Sequence, residues 1–298
     1  QAKTLFPYTT LFRSYSMAAL GKQLFWASRP VSWINTAYPF ALAYFLQTGQ
    51  IDTAFWVGTF FFLIPYNLLM YGINDVFDYE SDMRNPRKGS IEGAVLDKKW
   101  HKPTLFYAFL FPLPFVSYLW VHGNLQSGLW LLAILFTVVA YSAKGLRFKE
   151  KPFLDSLTSA SHFVGPLIYA LALTKTSLVD NIIVIAAFTL WGMASHAFGA
   201  VQDVIADREG GIASIATAIG ARTTTRLAFS AYALAGVLVL FLPFPGNLAV
   251  LAAVPYLVIV GPFWNITDET CEKANRGWRH FITLNYIAGF VVTMLLIW

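Results

Sequence analysis

The sequence predicts an all-α integral membrane protein that crosses the bilayer nine times. Three observations predict this fold class. The 298-residue chain is 57% hydrophobic and only 12% charged, against about 25% charged residues in an average soluble domain. Its apolar runs have the length of a bilayer crossing, and its basic residues fall on alternate loops. The single cysteine, Cys271, also excludes an internal disulfide or a zinc–thiolate cluster.

Nine apolar runs, separated by turn or charge signals, each come close to the ~20 residues that cross ~30 Å of hydrocarbon. They cover residues 31–47, 53–73, 104–121, 126–142, 156–173, 181–202, 223–243, 247–264 and 281–298. Before the first run, residues 17–29 form an amphipathic stretch that we expect in the membrane interface. We expect a single transmembrane domain over residues 15–298, made of two half-repeats at roughly 29–150 and 151–298.

The start of the chain does not fit this pattern. Residues 5–14 read LFPYTTLFRS, which resembles the translation of a common sequencing-library adapter. We therefore expect residues 1–14 to be an assembly artefact and the natural chain to start near Met17. The predicted fold therefore concerns residues 15–298.

The basic residues predict the orientation of the spans. Sixteen Lys and Arg residues lie in the loops that follow even-numbered spans, whereas Lys175 alone lies in a loop of the other set. By the positive-inside rule, the N-terminus and the loops after even-numbered spans are cytoplasmic. We expect the protein in the cytoplasmic (plasma) membrane. The basic residues do not cluster on a soluble face, so no nucleic-acid partner is expected.

The first acidic cluster ends the second predicted span. Asn74, Asp78 and Asp82 are spaced at i, i+4 and i+8, so a continuous helix would place them on one face over about two turns. Asp75 flanks that face. Charged groups this close to a membrane are costly and mark functional sites. Taken by itself, the cluster also fits solvated charges at the start of a loop.

A second acidic cluster ends the sixth predicted span, where Asp203 and Asp207 form another i, i+4 pair. Both clusters lie at the cytoplasmic ends of even-numbered spans, so we expect the two sets to face each other. Oxygen ligands without His or Cys suit Mg²⁺, which usually also coordinates waters and substrate phosphates. The pattern therefore predicts a diphosphate held by Mg²⁺ at the cytoplasmic mouth of a helical bundle.

Basic residues of the same cytoplasmic loops are candidate phosphate ligands. After the fourth span, Arg147 and Lys149 alternate with apolar residues; Arg offers phosphate a bidentate fork and Lys a point charge. Lys144 lies in the same loop, for which an ordinary positive-inside loop is the alternative explanation. Tyr141, just before it, has a ring that suits a developing cation.

Three motifs together resemble the UbiA superfamily of intramembrane prenyltransferases. They are NDxxDxxxD from Asn74 to Asp82, DxxxD from Asp203 to Asp207, and YSxxxLRxK from Tyr141 to Lys149. Further runs are similar to bacterial lycopene elongases, which make C50 carotenoids. These are SRP at residues 28–30, YGINDVFDYESDMRNPRKG at 71–89, GAVQDVIADREGGIASIATAIGAR at 199–222 and FWNITDETCEKANR at 263–276.

The resemblance implies a nine-helix UbiA-type bundle around a central hydrophobic cavity, with both acidic motifs at a cytoplasmic cap. It implies Mg²⁺ as cofactor, dimethylallyl diphosphate as donor, lycopene or another apolar acceptor from the bilayer, and carotenoid-pathway enzymes as possible protein partners. The metal ligands are then Asn74, Asp78, Asp82, Asp203 and Asp207; the diphosphate-binding residues are Arg84, Arg87, Lys88, Lys144, Arg147, Lys149 and Arg208; the catalytic residues are Asp75 and Tyr141.

In the expected mechanism, the donor ionises to an allylic cation beside Tyr141, and the terminal double bond of the acceptor attacks it. The tertiary cation left on the carotenoid then loses a proton or captures water. His196 lies seven residues before Asp203, on the same helix face. It is either the base that takes this proton or a hydrogen-bonded core histidine.

Two other functions stay open. A UbiA-type enzyme with a quinone, porphyrin or lipid head-group acceptor would carry the same carboxylates, because these bind the donor. A cation-coupled transporter would also carry intramembrane carboxylates, but near the bilayer midplane and often on broken helices. Here the acidic residues cluster at one membrane face, which favours the enzyme.

Overall fold

The structure, a computed structural model, describes residues 16–83 and 96–297. Within these ranges every regular element is helical. In chain order the α-helices are α1 (Met17–Ala27), α2 (Trp33–Thr48), α3 (Thr53–Leu63), α4 (Pro65–Phe77), α5 (Tyr79–Asp82), α6 (Lys98–Leu110), α7 (Leu113–His122), α8 (Leu125–Ser142), α9 (Leu154–Leu173), α10 (Ile182–Val201), α11 (Val204–Gly210), α12 (Ile215–Ile219), α13 (Ala221–Val239), α14 (Ala253–Val260), α15 (Asn275–Trp278) and α16 (His280–Ile297).

Seven helical stretches in the described ranges are long and apolar enough to cross a membrane. They are Thr53–Phe77, Lys98–His122, Leu125–Ser142, Leu154–Leu173, Ile182–Val201, Gly246–Phe263 and His280–Ile297. The other two predicted spans are also helices, α2 and α13. However, α2 has only 16 residues, and α13 carries Arg222 and Arg226 in its first two turns. The chain is thus an all-helical membrane protein, and crossing by all nine helices stays a prediction.

Proline divides two of the predicted spans into shorter helices. The span predicted at 53–73 consists of α3 and α4, which meet at Ile64, with Pro65 as the first residue of α4. The third predicted span contains the boundary between α6 and α7, where Pro112 caps the start of α7. Proline lacks the N–H that a continuing helix needs, and its fixed φ suits a first turn, so it starts a new helix.

Two apolar clusters hold the helices together. One is built around Phe40, Phe62 and Tyr66 by α2, α3, α4, α8 and α9. The other is built around Phe198 and Tyr232 by α10, α13, α14 and α16. Their rings pack as tilted and edge-on pairs, for example with 5.3 Å between the centroids of Phe40 and Phe62. Such pairs are worth ~1 kcal/mol beyond area burial and fix the helices relative to one another.

The first acidic motif straddles a break between helices. α4 ends at Phe77, Asp78 follows as its C-terminal cap, and α5 begins at Tyr79. The expectation of one continuous two-turn face is therefore wrong at Asp78. The physical reason lies in the loop after α8, where Arg147 donates a hydrogen bond of 3.4 Å to the carbonyl of Phe77. This contact satisfies a carbonyl at the helix end and leaves Asp78 in the cap.

The second acidic motif straddles a break as well. α10 ends at Val201, α11 begins at Val204, and Asp203 stands at the N-terminal cap of α11. Asp207 lies within that short helix. Each motif therefore has one aspartate at a helix end, Asp78 after α4 and Asp203 before α11.

Candidate active site

A polar cavity of about 890 Å³ lies between the two apolar clusters. Its walls come from α2, α4, α8, α9, α10 and α16 and from the loops after α8 and α11. Seven of the predicted site residues line it: Asn74, Asp78, Tyr141, Arg147, Lys149, Asp203 and Asp207. The fold thus brings parts of all three sequence motifs to one place.

The first acidic motif meets the loop after α8 at this cavity. Asn74 Oδ1 accepts a hydrogen bond of 3.0 Å from Ser142 Oγ at the end of α8. Asp78 is buried, and its two carboxylate oxygens face Lys149 Nζ and Arg147 Nη2. Two cations therefore hold this carboxylate in the cavity wall.

The loop between α8 and α9 is folded so that its cations line the cavity. Gly145 and Arg147 have φ values of 92° and 40°, a left-handed turn that glycine adopts without strain. Glu150 pairs with Arg147, and this hydrogen bond raises the pKa of Arg147. Burial lowers the pKa of Lys149, and the attraction of Asp78 opposes that effect. The lysine is thus a buried cation stabilised by a neighbouring anion.

The second acidic motif lines the same cavity from the α10–α11 side. Asp203 and Asp207 are both half-buried. Gln202, which stands where the first motif has Asn, is buried, and its amide oxygen accepts a hydrogen bond from Asn275 Nδ2. The two aspartates are therefore the ligand candidates on this side, and Gln202 ties α10 to α15.

The oxygen donors of the cavity fit a magnesium ion that is shared with a substrate. Among the side chains that the structure describes, no group of three His, Cys, Asp or Glu converges closely enough to hold a metal by itself. Mg²⁺ is commonly bound through one or two carboxylates together with substrate phosphates and waters. Asn74, Asp78, Asp203 and Asp207 supply oxygens of that kind.

Tyr141 lies in the cavity wall, in the last turn of α8. Its ring meets the ring of His162 edge-on, with 5.4 Å between the centroids. Its hydroxyl lies 3.3 Å from His196 Nε2, and His196 lines the cavity too. The ring is thus fixed where it can face a substrate.

Asp75, one of the two residues predicted as catalytic, does not line the cavity. Its carboxylate is buried and accepts a hydrogen bond of 2.7 Å from Arg29 Nη2. Arg29 follows α1 with a φ of 50°, and its guanidinium lies 4.4 Å from the ring centroid of Tyr71. Arg29 itself lines the cavity. No role was predicted for this cation; its signal in the sequence is the Ser28-Arg29-Pro30 run, in which proline restricts the preceding backbone.

Other predicted residues lie elsewhere. Lys144 is exposed outside the cavity lining. Arg208 also lies outside it and donates to Asp268 Oδ2 at 2.6 Å and to the carbonyl of Thr217 at 3.2 Å. Burial raises the pKa of Asp268, but hydrogen bonds from the Ala221 N–H and from Arg208 lower it by more, so the net change is downward. Arg84, Arg87 and Lys88, and the side chain of Asp82, lie outside the part that the structure describes.

An apolar cavity of about 480 Å³ adjoins the polar one. The residues common to both linings are Asn35, Trp191, Asn285 and Tyr286. From this junction the apolar cavity runs between α2, α10, α13, α14 and α16. It reaches Leu46 near the end of α2 and Leu296 near the end of α16. The polar cavity and the apolar cavity therefore adjoin each other at these four residues.

Most of the chain is similar to proteins of one family. The UbiA prenyltransferase family profile matches residues 15–286. The chain is 54% identical over 272 residues to the lycopene elongase/hydratase of Corynebacterium glutamicum, a match that covers 91% of this chain and 95% of that protein. It is 53% identical over 277 residues to the C(50) beta-cyclic carotenoids biosynthesis protein LbtBC of Dietzia sp., covering 92% of this chain and 64% of that protein.

A solved structure has the same fold. The UbiA homologue from Archaeoglobus fulgidus bound to DMAPP and Mg²⁺ superposes with a TM-score of 0.67 at 18% identity, and the match covers 92% of this chain and 99% of that one. The resemblance stated from the sequence motifs is thereby confirmed. This integral membrane protein is a prenyltransferase, and it belongs to the UbiA prenyltransferase family.

Proposed function

We propose that this enzyme transfers dimethylallyl groups from dimethylallyl diphosphate to the ends of lycopene, giving C45 and C50 carotenoids. The observation that carries the proposal is the pair of joined cavities, one charged and one apolar, which meet at Trp191. The 54% identical lycopene elongase/hydratase supports the choice of acceptor. The fold neighbour bound to DMAPP and Mg²⁺ supports the choice of donor.

The charged cavity suits the diphosphate of the donor. Arg147 and Lys149 would exchange their bonds to Glu150 and Asp78 for bonds to phosphate oxygens. Asp78 would then be released toward the metal. When bound, Mg²⁺ neutralises the charge that develops on the leaving diphosphate. The proposed metal ligands are Asn74, Asp78, Asp82, Asp203 and Asp207, and the basic residues of the 84–88 segment are proposed to bind the outer phosphate oxygens.

The residues that lie outside the cavity lining have a different proposed role. Asp75 forms an ion pair with Arg29, which lines the cavity. Arg208 forms an ion pair with Asp268, which also accepts a hydrogen bond from the Ala221 N–H at the start of α13. We propose that both act on the site through these partners, and that Lys144 contributes only its charge to the loop. Each of these roles predicts a loss of stability or of donor affinity when the residue is changed, without loss of the metal site.

The allylic end of the donor would lie below the diphosphate, beside aromatic rings. Tyr141 and Trp191 both line the polar cavity. Cleavage of the C–O bond leaves an allylic cation, which the face of a desolvated ring stabilises by ~2 kcal/mol or more. The apolar channel beyond Trp191 keeps bulk water away from this cation until the acceptor attacks.

The apolar cavity suits one end of a long hydrocarbon acceptor. α2 has 16 residues, which corresponds to a length of about 24 Å, and the cavity follows it from Ile34 to Leu46. An extended polyene could lie along this channel with its terminal double bond at the junction. A compact polar head group would leave most of the channel unfilled, which favours the hydrocarbon acceptor.

We further propose that all nine predicted spans cross the bilayer in a single domain over residues 15–298, with its two half-repeats facing each other. The polar cavity then opens to the cytoplasm. Support comes from the basic residues of the loops after even-numbered spans, which lie on the same side as both acidic motifs. Accessibility labelling of single cysteines introduced at Lys144 and at Lys175 would test this orientation from opposite sides of the membrane.

The proposal is tested with membranes that contain the protein. Dimethylallyl diphosphate, Mg²⁺ and lycopene are added, and the carotenoid mass is followed by chromatography. We expect gains of one and two C5 units that disappear with EDTA. Lycopene left unchanged, with diphosphate released in the presence of a quinone, porphyrin or lipid head-group precursor, would overturn the carotenoid acceptor. No Mg²⁺-dependent turnover of dimethylallyl diphosphate with any acceptor would overturn the proposed donor and metal.

A further inference from the structure

A chain of hydrogen-bonding groups connects the cavity wall to a fully buried carboxylate. Tyr141 Oη lies 3.3 Å from His196 Nε2, and His196 Nδ1 lies 3.1 Å from Ser156 Oγ. Ser156 Oγ in turn donates to Asp155 Oδ1 at 3.2 Å. These four residues come from α8, α9 and α10 and include no proposed metal ligand. Neither Asp155 nor Ser156 was singled out in the sequence.

The buried end of this chain is firmly held. Asp155 has no exposed surface. Its Oδ1 accepts from the Ser156 N–H and its Oδ2 from the Ile215 N–H, both at 2.6 Å. An ionised carboxylate has only acceptor atoms, so the Ser156 hydroxyl must give its hydrogen to Asp155. The direction of the hydrogen bond between Ser156 and Asp155 is thereby fixed.

That direction assigns the tautomer of His196. Because the Ser156 hydrogen points to Asp155, the Ser156 oxygen accepts from Nδ1–H of His196. In the neutral imidazole, Nε2 then carries the lone pair. This lone pair faces the hydroxyl of Tyr141 in the cavity wall. The arrangement is that of a histidine base oriented through its other nitrogen.

The position of this base matches the place where a proton must leave. His196 lies seven residues before Asp203 in α10, which puts it about 10 Å deeper than the diphosphate mouth. Trp191, at the junction with the apolar cavity, precedes His196 in the same helix and so lies deeper still. Among the described residues that line the polar cavity, His196 is the only histidine.

We propose that His196, acting through Tyr141, is the base that completes prenyl transfer; this inference rests on the proposed function. In the reaction, the C–O bond of the donor breaks with its electron pair going to diphosphate. The π pair of the acceptor's terminal double bond forms the new C–C bond and leaves a tertiary cation. A neighbouring C–H bond then breaks, and its pair forms the product double bond. Its proton passes to Tyr141 Oη as the phenolic proton passes to His196 Nε2.

The same base serves if water captures the cation. A water oxygen then forms the new C–O bond, and the surplus water proton takes the same path through Tyr141 to His196. In either case the imidazolium is stabilised by Ser156 and Asp155, as the buried aspartate of a Ser-His-Asp triad stabilises its catalytic histidine. The chain of residues determines where the proton goes, and the access of water determines which product forms.

The test compares His196→Gln with wild type in the lycopene assay. We expect product formation to fall by about a hundredfold or more, while the KM for dimethylallyl diphosphate changes little because the metal site is intact. Diphosphate release should become uncoupled from carotenoid product, and the product should become a mixture of double-bond positions. In His196→Ala, added imidazole should restore part of the rate. Ser156→Ala, which cuts the link to Asp155, should lose about tenfold.

His122→Gln is the matched control. His122 is an exposed histidine at the end of α7; it contacts Tyr118 and lines neither cavity. This variant should keep the wild-type product pattern in the folded fraction. If the wild type is active and His196→Gln is equally active and equally selective, the assignment of His196 as the base is overturned while the proposed function stands. A His196→Ala variant that imidazole does not rescue would have the same consequence. A wild type that leaves lycopene unchanged would overturn both proposals.

Discussion

At the residue scale, the charged cavity is held together by ion pairs that a substrate must replace. Asp78 faces both Lys149 and Arg147, and Arg147 also pairs with Glu150. A buried charge without a partner costs far more than a paired one. The site therefore keeps its cations paired with its own carboxylates until a diphosphate and a metal take over those bonds.

Removing one carboxylate from either acidic motif should abolish this exchange. We expect Asp78→Asn and Asp203→Asn each to reduce prenyl transfer by about a hundredfold or more, because each removes charge that binds the metal–diphosphate pair. Initial rates in membranes at saturating acceptor measure the effect. Asp180→Asn is the control, since Asp180 is exposed in the loop before α10. Equal losses in all three variants would contradict the assignment.

The pair of Asp75 and Arg29 makes a different prediction, one about stability. Asp75 is almost fully buried, with 2% of its side chain exposed, so Arg29→Leu leaves a buried charge unpaired. We expect a loss of about 3–5 kcal/mol in the free energy of unfolding. The double variant Arg29→Leu/Asp75→Leu should recover most of it. Denaturant unfolding in detergent measures both, and a double variant as unstable as the single one would argue against the pair.

The sequence identified most of the charged residues in the site but not their separate roles. Asp75 and Asp78 are three positions apart in one motif, yet one pairs with Arg29 and the other with Lys149. The i, i+4 spacing places Asp75 beside the face that carries Asn74 and Asp78, but it does not reveal which cation each carboxylate meets. The roles of Arg29, Asp155 and Ser156 were missed because their partners lie 40 to 60 residues away in the chain, where no local spacing connects them.

At the scale of elements, the helix breaks determine how the site is presented. Both acidic motifs lie where one helix ends and a short one begins. The prolines that divide α3 from α4 and α6 from α7 were visible in the sequence, whereas the breaks at the motifs were not, since no proline marks them. They depend on tertiary contacts such as that of Arg147 with the carbonyl of Phe77.

Asp268 connects several of these elements and gives a pH prediction. It accepts from the Ala221 N–H at the start of α13 and from Arg208 of α11. Its folded pKa is lowered, so its stabilising effect is present above the unfolded pKa and is lost as pH falls through the folded value. We expect Asp268→Asn to cost about 1 kcal/mol at neutral pH.

Unfolding midpoints of wild type and Asp268→Asn across an acid titration provide the measurement. The two curves should differ at neutral pH and converge as the carboxylate of the wild type is protonated. Asp180→Asn again serves as the exposed control. A difference that persists unchanged at the acid end would show that the carboxylate charge is not what holds α11 and α13 together.

At the scale of the whole molecule, the two adjoining cavities explain how one protein can bind a charged donor and an apolar acceptor. The overall helical membrane fold followed from composition and apolar run length. The channel did not, because a cavity is formed by small residues of distant helices, such as Gly236 of α13 and Gly289 of α16. Neither glycine stands out in the sequence from those that only allow close packing.

Filling this channel should affect the acceptor alone. A Cβ at Gly289 would meet only the ring of Tyr38, at 3.8 Å, so Gly289→Leu fits the backbone and projects into the apolar cavity. We expect the KM for lycopene to rise about tenfold, with the KM for the donor unchanged. Val291→Leu, at an exposed position of α16 outside the cavity lining, is the control. A change in donor KM instead would place the acceptor elsewhere.

The most direct test of the proposed reaction follows labelled carbon from donor to acceptor. Membranes containing the protein are incubated with Mg²⁺, lycopene and dimethylallyl diphosphate deuterated in its C5 group, and the carotenoids are separated and weighed by mass spectrometry. We expect the label in C45 and C50 carotenoids, one C5 unit per extended end, and none when EDTA is present. Recovery of the lycopene intact and unlabelled, whether or not the donor has been consumed, would contradict the central proposal.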